Sequence, residues 1–134
     1  MTPQDFELIK SSFKKLEACS QEAALKFYEI LFENHPNLRK EFGDNLCVQA
    51  NNMVNNLSAF VNKVNSIEDI RKDIELLGQR HKKHDVLPEH YDYFAAALLA
   101  TLAYYLDKDF DEKTRQVWIK AYGTVSDIMI NSPE

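Results

Sequence analysis

The stretch Ile67-Glu68-Asp69-Ile70-Arg71-Lys72-Asp73-Ile74-Glu75-Leu76-Leu77-Gly78-Gln79-Arg80-His81-Lys82-Lys83-His84 decides how the chain is read. Ile67, Ile70, Ile74 and Leu77 recur at spacings of three and four, which is the buried stripe of an amphipathic helix, and His81 takes the next step along it. An imidazole at that step points inward. It is either a core residue satisfied by a hydrogen bond or a ligand to something held inside, and periodicity alone favours the first.

Working outward, the 134 residues are enough for one ordinary domain and too few for a second catalytic module, so residues 1–134 are read as a single domain. A composition that is 45% hydrophobic with three glycines and four prolines suits a compact helical fold and excludes low complexity. The net charge of -5, with no basic stripe interleaved with aromatics, excludes nucleic acid as a natural partner. Met1 to Lys10 carries Asp5 and Glu7 and lacks a long apolar run, so neither a signal peptide nor a membrane span is expected, and a cytoplasmic location is. Cys19 and Cys47 lie far apart without Cys-x-x-Cys spacing, which predicts two reduced, partly buried thiols.

Thr2-Pro3 with Asp5 predicts a capped helix burying Phe6, Ile9, Phe13 and Leu16. Ser20 as a cap opens a second, with Ala24, Phe27, Tyr28, Leu31 and Phe32 inward, and it ends before Pro36, which starts a short helix carrying Leu38 and Phe42. After the turn Gly43-Asp44-Asn45 a long helix is predicted over roughly Val48 to Val64, with Gln49 one turn before Met53 on the inward face. Ser66 with Asp69 resembles a capping box for the His81 helix, which should stop soon after His84-Asp85. Pro88 begins a helix to about Leu106, and a last helix from about Asp111 shows Trp118, Tyr122, Val125 and Met129. No segment alternates with a period of two, so the fold class is all-α, with six main helices plus short helical pieces.

Three inward polar groups, Tyr28, Gln49 and His81, then sit on three helices, and each left unsatisfied would cost about 1 to 3 kcal/mol. A shared ligand would satisfy all of them. Read singly, Tyr28 could instead bond a backbone carbonyl, and Gln49 could be a surface amide at a helix start.

The order and spacing of Lys26-Phe27-Tyr28-Glu29-Ile30-Leu31-Phe32, His35-Pro36 with Phe42, Arg80-His81 through Pro88-Glu89-His90-Tyr91, and Trp118-Ile119-Lys120-Ala121-Tyr122-Gly123 resemble the globins. The resemblance is to single-domain bacterial haemoglobins and the haem domain of flavohaemoglobins, and it covers nearly the whole chain. It implies a globin fold around a haem pocket, haem b as cofactor and His81 as the proximal iron ligand. It places Phe42 at the haem edge, with Met53, Leu77, Val86, Phe94 and Leu98 lining the pocket. Plain core packing would bury these residues equally well. Tyr28 and Gln49 match the distal polar pair, in which a donor stabilises bound dioxygen by about 1 to 2 kcal/mol.

Tyr91 matches a tyrosine that, with a glutamate, orients the proximal histidine. The glutamate position is held here by Pro133, and Glu134 stands one residue later. Arg80, Lys82 and Lys83 form a basic patch that is either a solvated face or a partner for haem propionates; His84 and His90 are expected to be exposed and without a role.

The expected function is reversible binding of dioxygen and other diatomic ligands, for transport or storage. An alternative is nitric oxide dioxygenation with a separate reductase, and a rival of another class is a globin-fold sensor or interaction module without haem. With no histidine between His35 and His81, two-histidine ligation for electron transfer is disfavoured. A monomer or weak homodimer is expected.

Overall fold

The computed structural model describes residues 1–132, and its elements run α1 (Pro3–Glu17), α2 (Ser20–Asn34), a 3-10 segment (Pro36–Phe42), α3 (Leu46–Asn62), a 3-10 turn (Val64–Ser66), α4 (Ile67–Lys83), α5 (Pro88–Leu106), a 3-10 turn (Asp107–Asp109) and α6 (Glu112–Ile130). No strand occurs among the described residues. Six α-helices and three short pieces is the architecture that the apolar periodicities predict. Pro133 and Glu134, and with them the family's glutamate position, lie outside the described residues.

The helix starts show where local chemistry acts. Thr2 and Asp5 form the expected reciprocal capping box, and Asn45 and Asp111 accept main-chain N–H groups at the starts of α3 and α6. Two expected caps do not form. Ser20 is already the first residue of α2, behind Cys19, and the Ser66 side chain accepts nothing, because a 3-10 turn running directly into α4 satisfies those first backbone groups instead. The segment opened by Pro36 is likewise 3-10 throughout, and α3 begins two residues earlier than periodicity suggests, at Leu46, once Asn45 caps it.

His90 also departs from expectation. It is half-buried, and its Nδ1 accepts the Leu87 N–H at 3.0 Å, so it closes the N-terminus of α5. Cys47 is exposed rather than partly buried, while Cys19 is half-buried.

The main core joins α1, α2, α3, α5 and α6 around Ile9, Phe13, Leu31, Leu102, Trp118 and Ala121. Trp118 is 1% exposed, and its indole N–H still finds a partner, the Ser12 hydroxyl at 2.8 Å, which fixes α6 against α1. Ile74, Tyr91 and Ile128 are also buried, yet they stand apart from that continuous cluster. The reason lies in α4: it packs on α6 and little against α2, α3 and α5. Apolar surface is therefore divided into a large cluster and a smaller one beneath α4. Phe42, Met53 and Phe94 are half-buried against the main cluster, and Leu77 and Val86 are half-buried outside it.

Candidate functional site: the surroundings of His81

His81 lies in the last turn of α4, on the stripe that buries Ile74. Its Nδ1 sits 3.1 Å from the Tyr91 hydroxyl, and its Nε2 makes no hydrogen bond among the described residues. Burial, helped by the positive charges of Arg80 and His84, holds the imidazole below its ordinary pKa of 6.5, which favours the neutral ring with an available nitrogen lone pair. The backbone around it is closed tightly. The His81 carbonyl accepts the Val86 N–H at 2.9 Å across a turn in which Asp85 takes φ +61°, so the chain reverses at once into α5.

Tyr91 is itself held from behind. The Tyr122 hydroxyl donates to the Tyr91 carbonyl at 2.9 Å, and burial raises the pKa of both phenols, keeping them neutral. The two residues thus link α6, α5 and the ring of His81.

Phe94, one helical turn beyond Tyr91 on the same face of α5, connects to the other wall. Its ring is 6.4 Å from Phe42 and 6.3 Å from Phe27, and these meet Tyr28 at 5.3 and 5.1 Å between centroids. Phe32 completes the group, stacked on Tyr28 at 5.8 Å. This edge-rich aromatic wall supplies one polar atom, the Tyr28 hydroxyl. Tyr28 is 5% exposed, and burial pushes its pKa up to about 12, so it stays a donor at neutral pH. It donates to the main-chain carbonyl of Gln49 at 3.3 Å, a long bond, while the Gln49 side chain is half-buried and bonds nothing among the described residues.

Met53 and Leu98 line, with Phe27 and Val54, an apolar hollow of about 20 Å³ between the helices of this wall. A larger hollow of about 160 Å³ lies elsewhere, between α4 and α6, rimmed by Arg71, Glu75, Asp127 and Asn131, and none of the candidate residues lines it.

Of the residues singled out in the sequence, the fold therefore joins Tyr28, Phe42 and Phe94 in one wall, Met53 and Leu98 in the adjacent hollow, and His81 with Tyr91. Leu77 and Val86 are half-buried on the α4 side, outside the main core. Sequence reasoning missed Gly78 and Lys82 as structural contacts. Gly78 approaches α6 so closely that a Cβ there would lie 2.6 Å from the Met129 carbonyl oxygen. A glycine inside an otherwise unbroken helical stripe was the available signal.

The donor set tests which metal group fits. Among the described residues no cluster of three or more His, Cys, Asp or Glu is placed to hold a bare ion. One oriented, neutral imidazole beside an apolar, divided core instead suits a metal that brings its own in-plane donors within a flat apolar group, as haem does.

Comparison with known proteins agrees with that chemistry. The chain is similar to the flavohemoprotein of Deinococcus radiodurans, 26% identical over 133 residues covering 97% of this chain and 33% of that protein. It is also similar to the flavohemoprotein of Bacillus subtilis, 26% identical over 92% of this chain and 32% of that protein. An uncharacterized globin-like protein of Aquifex aeolicus is 23% identical over 97% of this chain and 92% of its own length. The chain spans about a third of the length of the flavohemoproteins it matches. Among solved structures, a bacterial globin from Campylobacter jejuni superposes with a TM-score of 0.84 at 22% identity, covering 97% of this chain and 94% of that one, a likeness of fold. The Globin family model matches residues 25–129, from the middle of α2 to the last turn of α6, and the chain belongs to the globin family.

Proposed function

We propose that residues 1–134 form one globin unit that binds haem through His81 and reversibly takes up dioxygen or another diatomic gas. The observation that carries this reading is the unshared Nε2 of His81, on a ring whose other nitrogen is already fixed by Tyr91. His81 would hold the haem, which would supply an iron able to take up a small gas. Haem b is the form that asks nothing more of the chain, since no Cys-x-x-Cys-His stands ready for covalent attachment.

The residues divide the work. Tyr91 restricts rotation of the His81 ring and selects its tautomer, and Tyr122 holds Tyr91 in place. Phe42 and Phe94, edge to face at 6.4 Å, give the aromatic wall its apolar surface. Tyr28 carries the one proton offered by the aromatic wall. Its bond to the Gln49 carbonyl is long, so its hydroxyl turns to a bound gas at small cost, and the released carbonyl remains within the helix of α3.

Tyr28→Phe removes that donor with little change in volume. If the donor is worth about 1.4 kcal/mol, oxygen should leave about tenfold faster in stopped-flow measurements. An unchanged dissociation rate at normal haem content would sink the role given to Tyr28.

A second reading, nitric oxide dioxygenation, is favoured by the likeness to proteins named flavohemoproteins. One dioxygen, one nitric oxide and one electron give nitrate, and the electron would come from a separate reductase. With a flavin reductase and NADH supplied, this reading expects many nitrates per protein; a single stoichiometric event followed by persistent ferric protein would leave storage or delivery.

A further inference from the structure

The last turn of α6 and the residues just after it meet α4 on both sides of His81. Three residues before the histidine, Gly78 lets the backbones approach until a Cβ would lie 2.7 Å from the Met129 Cα and 2.9 Å from the Ser132 hydroxyl. One residue after it, the Lys82 ammonium donates to the Ser132 carbonyl, 50 positions along the chain. Ser132 is no loose end: it is 4% exposed, and its hydroxyl and N–H both return to the Met129 carbonyl, at 2.7 and 3.3 Å. Among the described residues this bond to a carbonyl is the polar interaction the Lys82 ammonium makes. The same helix, through Tyr122, holds the backbone of the residue that hydrogen-bonds His81.

From this we propose that Lys82 and the Ser132 carbonyl act as a clasp that positions His81: with Gly78 and Tyr122, α6 sets both the rotation of α4 and the placement of Tyr91, and so the angle of the imidazole. Lys82 is a positioning residue, since its ammonium touches the segment just after α6 rather than the His81 ring. This rests on His81 being the axial ligand.

The rotation of α4 has few other constraints, because α4 packs on α6 and on little else. A helix held mainly along one side turns about that side when an end contact is lost. The Tyr91–His81 bond would then be stretched, although neither group of the clasp touches either ring.

The test uses Lys82→Met, which keeps the aliphatic stem and removes the donor, and Lys82→Arg, which restores a cationic donor of similar reach. In the reduced, haem-loaded protein the iron–histidine stretching band in resonance Raman spectra should shift and broaden in Lys82→Met and return toward its original place in Lys82→Arg. A merely structural role would lower the thermal midpoint and leave the band where it is, and that result overturns the clasp. The ¹⁵N shifts of the His81 ring give a readout independent of haem. Lys82→Met should move them toward those of a free imidazole, and unchanged shifts would also overturn it. Failure of every variant and of the parent chain to take up haem would instead count against the axial role of His81, while the ¹⁵N shifts still judge the clasp. If Lys82→Met does not fold, Lys82→Gln, with a shorter neutral donor, should give a partial shift of the same signals, and none would overturn the proposal.

Discussion

His81→Ala is expected to lose haem more than about 100-fold faster than the parent chain, beyond the 10- to 100-fold typical of losing a partner one step removed from a metal. The side chain removed is the one whose second ring nitrogen makes no hydrogen bond among the described residues, and Tyr91 cannot replace it, because burial raises its pKa and keeps the phenol protonated. The truncation leaves a space of imidazole size, so added imidazole should restore the spectrum of the reduced protein in part. His84→Ala is the control. That imidazole is exposed at the C-terminal cap of α4, and its loss should leave haem retention unchanged. Transfer of haem to an excess of an apoglobin acceptor, followed in the Soret region, measures both. Equal rates for the parent and His81→Ala would remove the reading of this chain as a haem protein ligated by His81.

Gly78→Ala is the second large effect. On an exposed helix, alanine in place of glycine stabilises by up to about 1 kcal/mol, because the unfolded chain loses freedom. At position 78 the sign should reverse. The added Cβ would meet the Met129 carbonyl oxygen at 2.6 Å and its Cα at 2.7 Å, both backbone atoms that cannot swing aside. Separating α4 from α6 to relieve this should cost about 1 to 3 kcal/mol, as overpacking does in other cores. Because His81 is three residues on, the same displacement should also weaken haem retention. Gly123→Ala provides the opposite case within α6, since a Cβ there meets nothing within 4 Å, and it should stabilise the protein. Urea midpoints of the two variants, moving in opposite directions from the parent, check both. A stabilising Gly78→Ala would mean that the two helices are not in contact as described.

The fold was legible because helical periodicity is a local property. The stripe from Ile67 to His81, the starts at Thr2-Pro3, Pro88 and Asp111, and the inward Trp118 were each marked by residues within a few positions of one another. Ser20 and Ser66 fail as caps for equally local reasons: α2 has already begun at Ser20, behind Cys19, and a 3-10 turn runs directly into α4 at Ser66.

For the candidate site, the sequence names residues but not the bonds they make. His81, Tyr28, Gln49 and Tyr91 could be named from residue type, position and family resemblance. The resemblance pointed to Gln49 through its side chain, whereas the hydrogen bond that reaches Tyr28 comes to its carbonyl, a group that every residue carries. The Tyr122 hydroxyl likewise meets the carbonyl of Tyr91, and the Lys82 ammonium that of Ser132.

Residue pattern is thus enough for an all-α chain, for the faces that turn inward, and for an imidazole at the end of one apolar stripe. Tertiary structure alone decided that α4 leans on α6 and leaves the core divided, that Gly78 is a point of backbone contact, and that Tyr28 rests on a carbonyl. The physical reason is that side-chain type determines burial and periodicity, whereas main-chain oxygens and close backbone approaches bear no residue signature. They acquire a role only when helices distant in sequence are brought together.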